Sequence, residues 1–307
     1  MIFLHKICLF NFMNLNPHTM KILLTVIAVL TLIGCKNDTK NADVQSDPED
    51  NPEEIVDSIQ VSDRNLEAQQ KTLIIKRQEL LEKNDAKAEL ENLLISKSFL
   101  KEGDWYTLDF KYPYLNEKIK PQFENFNEYI SNYYLDAKGV EKQILEEKRL
   151  CDSLGIPKQN ELRRVDYKIY NLNDRLISVL FYKENHYTGA AHAAYTFDCL
   201  NFDLERAVFM NYEDFFNNGS EEELREILNT LLKEKINSGE MYYDCWAISA
   251  DDFFDAKNNF VINDDVVEFY FDDCVICPSY TGTYSIKIPL QTLMPVLRKY
   301  KKNPLIL

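Results

Sequence analysis

The sequence predicts an α+β fold, an antiparallel sheet with helices packed on it. Three observations carry this expectation. Several short stretches alternate apolar and polar residues at the two-residue period of a half-buried strand. Others repeat apolar residues at helical spacing. The two kinds are interspersed, without the regular strand–helix–strand alternation of a parallel sheet. A signal peptide, a flexible tether and a helical spacer are expected ahead of this fold, and no internal repeat is evident.

Residues 1–34 read as a signal peptide. Met20-Lys21 is followed by thirteen uncharged residues, ILLTVIAVLTLIG, which end at Cys35. One lysine, a short apolar run and a small residue before a cysteine are the parts of a secretory signal. The run is too short for a membrane-spanning helix, which needs about 20 apolar residues. Translation is expected to start at Met20, with residues 1–19 an upstream extension of the reading frame. Leu32-Ile33-Gly34-Cys35 resembles the lipobox of bacterial lipoproteins. That resemblance implies cleavage after Gly34 and a lipid on Cys35, so the membrane is reached through this N-terminal lipid only.

Residues 35–62 follow as an acidic tether. Between 36 and 60 there are eight acids, two lysines, two prolines and no aromatic residue. Such a segment buries too little apolar surface to offset the entropy of ordering it. Within it, Asp57-Ser58-Ile59 resembles an O-glycosylation acceptor of some Gram-negative envelopes, though three residues also match by chance. Residues 63–98 are rich in Leu, Glu, Lys and Gln, all good helix formers. Leu66, Leu73 and Leu80 recur at sevens, but Gln70 and Arg77 occupy the complementary positions, so a helical spacer is expected rather than a coiled coil.

The globular part begins near residue 99. Tyr106, Leu108, Phe110 and Tyr112 alternate with polar residues as a strand that Pro113 helps to end. Phe123, Phe126, Ile130 and Tyr133/Tyr134 then step at helical spacing, and a second helix carries Val140, Ile144 and Cys151 up to Gly155-Ile156-Pro157. Strands are expected at 165–169, 176–182, 195–202 and 207–210. Ser220-Glu221-Glu222-Glu223 has the form of a capping box, and Leu224, Ile227, Leu228, Leu231 and Leu232 give the helix behind it one apolar face. Three final strands lie at 260–262, 266–271 and 283–288. Pro289 closes the last, and residues 290–297 form a terminal helix.

With 45% hydrophobic and 12% aromatic residues, most of the chain has the means to fold. The net charge of -15 excludes nucleic acid as a partner, since a binder must neutralise phosphates with Lys and Arg. It equally disfavours an electrostatic grip on anionic lipid. A cationic protein suits this field, although acidity alone also serves solubility.

Few residues point to chemistry. His186, Glu184 and His192 share a loop, but their spacing fits neither one helical face nor a closed zinc motif. A tight turn at Gly189, with His192 bonded to backbone, explains them, and no metal is expected. Cys274-Val275-Ile276-Cys277 has redox spacing, yet Asp272-Asp273 precede it and negative charge raises a thiol's pKa. A structural disulfide is expected instead, Cys274 and Cys277 with each other or with Cys199 or Cys245, as suits an oxidising compartment. Cys151 is the cysteine expected to stay free. The pairs Asp251-Asp252 and Asp264-Asp265 point apart as neighbours do, so they cannot form the facing carboxylates of a glycosidase. They fit a helix cap and a hairpin turn. There is no nucleophile elbow, phosphate loop or zincin motif, so no catalytic residue and no cofactor is expected.

Two stretches carry a family resemblance. Tyr187-Thr188-Gly189-Ala190-Ala191-His192, followed by Asn201-Phe202-Asp203, resembles the signature of uncharacterised domains found beside peptidoglycan deacetylase domains. Ala190 stands where that signature has a second glycine. Phe269-Tyr270-Phe271, Pro278-Ser279-Tyr280-Thr281-Gly282 and Ile288-Pro289-Leu290 resemble the domain of unknown function at the C-terminus of the lysozyme-sensing anti-sigma-V factor. The resemblance implies a deacetylase-associated-like domain over 99–208 and the C-terminal-like domain over 209–307, packed together. No deacetylase motif and no segment to hold a sigma factor is read here, so an extracytoplasmic module alone is expected. By analogy its contact surface is Pro278, Ser279, Tyr280 and Tyr284, helped by Tyr187 and His192. The ligand so implied is a basic extracellular protein such as lysozyme, or peptidoglycan. A carbohydrate-active hydrolase and a structural assembly factor are the rival functions.

Overall fold

A computed structural model describes residues 92–155, 160–172, 175–188, 190, 193–263, 265–299, 303 and 305. The signal peptide, Cys35, the tether, most of the spacer, His192 and Asp264 lie outside the described residues.

The fold is α+β. Six strands, β1 (Leu94–Gly103), β2 (Tyr106–Leu115), β3 (Glu161–Leu172), β4 (Leu176–His186), β5 (Ala194–Asp203) and β6 (Val208–Met210), form one sheet in that order. A second sheet holds β7 (Phe260–Asn263), β8 (Val266–Tyr270) and β9 (Ser285–Pro289), also in order. Neighbours are antiparallel except β2 and β3, where Tyr106–Phe110 runs parallel to Glu161–Val165.

That one parallel pair sits within the antiparallel sheet expected, and its cause is the connection. Parallel neighbours require a crossover, usually helical. Here it contains α1 (Glu124–Glu128), a π-helical turn at Tyr129–Tyr134 and α2 (Ala137–Ser153). Phe126, Ile130 and Ile144 of the crossover bury one face of the large sheet against Leu108, Phe110, Val165, Ile177, Val179, Phe181 and Phe202. The expected spacer helix also ends too late, because Leu94–Ser98 already belongs to β1. Pairing with β2, Phe99 opposite Phe110 among others, overrides helix propensity there.

β4 is buried on both faces over Leu176–Tyr182 and apolar there but for Ser178, as suits a strand covered from two sides. Its second face, with β5, meets the small sheet: Leu180, Tyr182, Tyr195, Phe197 and Cys199 pack on Val261, Tyr270 and Tyr284. The outer face of the small sheet is covered in turn by α4 (Glu221–Ser238) and α5 (Ala250–Ala256), placed after the short α3 (Tyr212–Phe215). Leu224, Leu228, Leu232 and Phe253 meet Phe260, Val267 and Phe269 there. The chain closes with the one-turn α6 (Leu290–Leu293), shorter than the helix expected over 290–297.

The capping box expected at Ser220 does not form. Ser220 is buried, its hydroxyl donates to the Asn217 carbonyl and also meets the Tyr212 hydroxyl at 2.8 Å, so it is unavailable as a cap. The reciprocal box sits one helix earlier, between Asn211 and Asp214.

Polar side chains join the two sheets. Ser178 donates to Asn201 (2.6 Å), Asn201 donates to the Phe260 carbonyl (2.9 Å), and Ile262 N–H donates to Ser178 (2.9 Å). Beyond β6, which pairs only with Asn201–Asp203, the edge of β5 is open to other partners. Asn259 takes it: its oxygen accepts from Cys199 N–H (2.6 Å), and its amide donates to the carbonyls of Phe197 (2.7 Å) and Tyr270 (3.0 Å). Asp272 accepts from Phe197 N–H at 3.0 Å. Burial pushes the Asp272 carboxyl up to about 6, helped by Asp198 and opposed by the Phe197 N–H and Lys183.

A carboxyl whose pKa is higher folded than unfolded adds stability that is complete below the unfolded value and is lost as pH rises to the folded one. Stability should therefore fall between pH 3.8 and about 6 through this group. Asp272→Asn keeps an acceptor without the charge and should stabilise the protein at pH 7 by about 2–3 kcal/mol, an upper range for such a shift. Denaturant melts at pH 4, 6 and 7.5 check this; a variant that loses stability equally at all three removes the charge from the explanation.

Candidate functional site

The loop from Phe271 to Tyr284 carries most of the residues expected to bind a ligand, and it does not expose them all. Pro278 is buried, and Ser279 donates its hydroxyl to Asp273 at 2.8 Å. Ser279–Thr281 makes one 3-10 turn, which Gly282 ends in the left-handed conformation at φ 60°. Tyr280 is 37% exposed and its hydroxyl donates to the Asp244 carboxylate. Tyr284 is only 7% exposed. Its ring lies 4.6 Å from that of Phe197 in the inter-sheet core, so it packs the fold.

Tyr187 belongs to a different constellation. The guanidinium of Arg163 lies 4.0 Å from its ring centroid. Arg163 also pairs with Glu161, both buried, and donates to the His186 carbonyl at 2.9 Å, while Thr188 donates to Glu161 at 3.0 Å. Burial raises the Tyr187 hydroxyl above its ordinary value. The arrangement anchors the β4–β5 connection to the end of β3. His186 is exposed, 3.7 Å from Glu184. No group of three or more His, Cys, Asp or Glu residues that could hold a metal occurs among the described residues. No described helix is long and apolar enough to cross a membrane.

The disulfide forms between Cys245 and Cys277, with Cα atoms 4.2 Å apart. Cys274 takes no part in that bridge. Cys199, expected among the bridged cysteines, is a buried thiol, as is Cys151. Cys199 points into the inter-sheet core, whereas Cys245 and Cys277 belong to the core beyond the small sheet. Burial raises the Cys199 thiol well above its ordinary value, and Asp198, Glu268 and Asp272 act in the same direction. Such a thiol is inert.

The bridge brings in residues that sequence reasoning missed. It fastens the segment after α4, Met241–Ser249, to the Phe271–Tyr284 loop. Trp246 reinforces it, with backbone N–H to the Ile276 carbonyl at 3.0 Å and indole N–H to the Val275 carbonyl at 2.8 Å. Asn229 of α4 holds the far end by accepting from Ile248 N–H (2.7 Å) and donating to its carbonyl (3.1 Å). Tyr242 and Tyr243 stand on this clamped segment, 44% and 84% exposed. Tyr242 meets Tyr280 edge to face with centroids 6.2 Å apart. Bonding to Asp244 pushes the Tyr280 hydroxyl up to about 12, so it stays a donor at neutral pH. The legible signal was Tyr242-Tyr243-Asp244-Cys245-Trp246, an aromatic string beside a cysteine.

The sequence of this region is acidic, although Lys235 pairs with Glu240 at 2.9 Å and Arg225 donates to the Ile248 carbonyl at 3.1 Å. From residue 236 to 286 there are ten Asp and Glu and a single Lys or Arg, Lys257. Lys257 is itself taken by Glu213 (2.7 Å) and Glu221 (3.3 Å).

Residues 213–291, from α3 to α6 and including the clamp, match the model of a family described as "Protein of unknown function (DUF3298)". That match covers about a quarter of the chain. Over 235 residues it is 25% identical to the peptidoglycan-N-acetylmuramic acid deacetylase PdaC of Bacillus subtilis, covering 73% of this chain and 46% of that protein. The chain thus spans about half the length of that relative. A DUF3298 family structure from Bacteroides fragilis has the same fold, with a TM-score of 0.50 and 18% identity over 69% of this chain and 95% of that one. A second, from Pseudomonas aeruginosa, gives 0.46 and 15% over 67% and 93%.

Closing a loop with a sequence separation of 32 residues restricts the unfolded chain by about 3–4 kcal/mol in the chain-entropy model. Reduction, or Cys245→Ser with Cys277→Ser, should lower the melting temperature and loosen Tyr242 and Tyr280 together. An unchanged melting temperature after verified reduction would show that the bridge does not hold this part of the fold.

Proposed function

We propose that the protein is a cell-envelope lipoprotein whose DUF3298 domain is a non-catalytic capture module for a basic extracellular protein of the lysozyme type. The observation that carries this is the clamped surface of Tyr242, Tyr243 and Tyr280 around Asp244, within a stretch of ten acids and one occupied lysine. Tyrosines give large contact area at small entropic cost, and a rigid backbone lowers that cost further. The acidic field steers a cationic partner toward them. Anchoring through Cys35 would hold the module outside the cytoplasm, where a disulfide persists. A second reading, capture of peptidoglycan fragments, draws on the name of the deacetylase that resembles 73% of the chain.

Surface-immobilised protein titrated with a basic lysozyme distinguishes these. Higher salt should slow association, because screening tightens below the Debye length of about 8 Å at physiological ionic strength. Tyr280→Ala, once shown folded by its melting curve, should speed dissociation about thirtyfold, the equivalent of a 2 kcal/mol hot spot. A parent that ignores lysozyme but retains muropeptides would transfer the function to the second reading.

Lipid attachment is tested separately. Cys35→Ser should leave the protein uncleaved or release it from the membrane fraction. Lipid-labelled membrane protein persisting in that variant would end the lipoprotein assignment and leave the capture surface untouched.

A further inference from the structure

The fold repeats one small polar device. Tyr134 donates its hydroxyl to Asp198 at 2.8 Å, and Lys183 completes the pair, 2.7 Å from that carboxylate and 4.2 Å from the Tyr134 ring centroid. Tyr106 donates to Glu141, which also holds Lys101 at 2.7 Å. Tyr114 donates to Glu117, with the Lys97 ammonium 3.2 Å from the Tyr114 ring centroid. In the first trio the carboxylate is shared between a neutral donor and a cation and the ring face attracts the same cation; the second has the shared carboxylate, and the third the hydroxyl bond with the cation over the ring.

Tyr280 and Asp244 make the first two members of that trio. No Lys or Arg among the described residues pairs with Asp244, and its hydrogen bond uses only the Oδ2 atom. The Tyr242 ring stands edge to face with Tyr280 at 6.2 Å between centroids, so a cation seated in the corner comes within the roughly 6 Å reach of both rings. Tyr243, 84% exposed, flanks the corner.

We infer that the Tyr242–Tyr280–Asp244 corner is a subsite for one lysine side chain of a partner, whose ammonium supplies the missing third member. This deepens the capture reading and rests on it for the identity of the partner, but the subsite can be tested without any protein ligand. Its chemistry is a primary ammonium on a flexible apolar stem, the stem lying along the tyrosine rings and the head on the free oxygen of Asp244.

The probe is N-acetyl-lysine methylamide, titrated into the purified protein with tyrosine ring resonances observed by NMR. N-acetyl-norleucine methylamide, equal in stem and lacking the charge, is the control. The lysine probe should give saturable shifts at Tyr242 and Tyr280, and the norleucine probe none. Asp244→Asn, nearly isosteric, should weaken the lysine probe by about tenfold or more, the loss expected of one charge-assisted contact. Equal shifts from both probes, or an Asp244→Asn protein that binds lysine as well as the parent, overturns the subsite. If lysozyme capture fails while the lysine probe still saturates these rings, the partner is wrong and the subsite stands. If lysozyme binds parent and Asp244→Asn alike, capture stands and the subsite falls.

Discussion

The structure depends on how the open edge of β5 is satisfied. Two sheets stacked through Tyr182, Phe197, Tyr270 and Tyr284 exclude water from that edge, and an unpaired backbone donor buried there would cost about 1–3 kcal/mol. β6 is too short to help. Asn259 does the work of a strand, with three hydrogen bonds to backbone groups of β5 and the end of β8. Asp272 and the Asp273 N–H, which donates to the Tyr195 carbonyl at 3.3 Å, continue the pairing. A regular strand would have made this edge self-sufficient. Side chains make it depend on the residues just before β7 and just after β8.

That dependence places the candidate site. Asp272 and Asp273 begin the loop that carries Cys277 and Tyr280, so docking of the small sheet on the large one also fixes where the loop starts. Asp273 reaches forward as well, accepting from Ser279. Cys277 and Trp246 then transfer the position to the segment after α4. Tyr242 and Tyr280 therefore meet across two loops without either being part of a regular element. The raised Asp272 carboxyl marks the expense of the arrangement: a charge is kept in a poorly hydrated place because it holds both an edge and a loop origin.

Legibility followed period and failed with long-range partners. β4 and β5 could be read because burial on one or two faces writes itself into residue type, and the apolar run Leu176–Tyr182 is unambiguous. Leu94–Ser98 could not, since its composition suits a helix and only Phe110 and its neighbours on β2 make it a strand. Ser220 carried the right cap letters, but Tyr212, eight residues earlier, claims its hydroxyl. Tyr284 looked like a contact residue by analogy because Tyr280 and Tyr284 read alike in sequence. The left-handed Gly282 between them sends one out and the other in. Cys199 was indistinguishable from Cys245 by spacing, and only the separation of the two cores tells them apart.

A net charge of -15 says little by itself, because beyond roughly 8 Å it is screened in physiological salt. What gives acidity meaning is whether each carboxylate is answered locally. Asp198, Glu141, Glu161, Glu213 and Asp203 are each met by a Lys or Arg in the fold. Asp244 sits half-buried beside three tyrosines with only a neutral donor. Its Oδ2 accepts from Tyr280, and an incoming ammonium would meet the other oxygen. Within the screening length, the unanswered carboxylate decides where a cation stops.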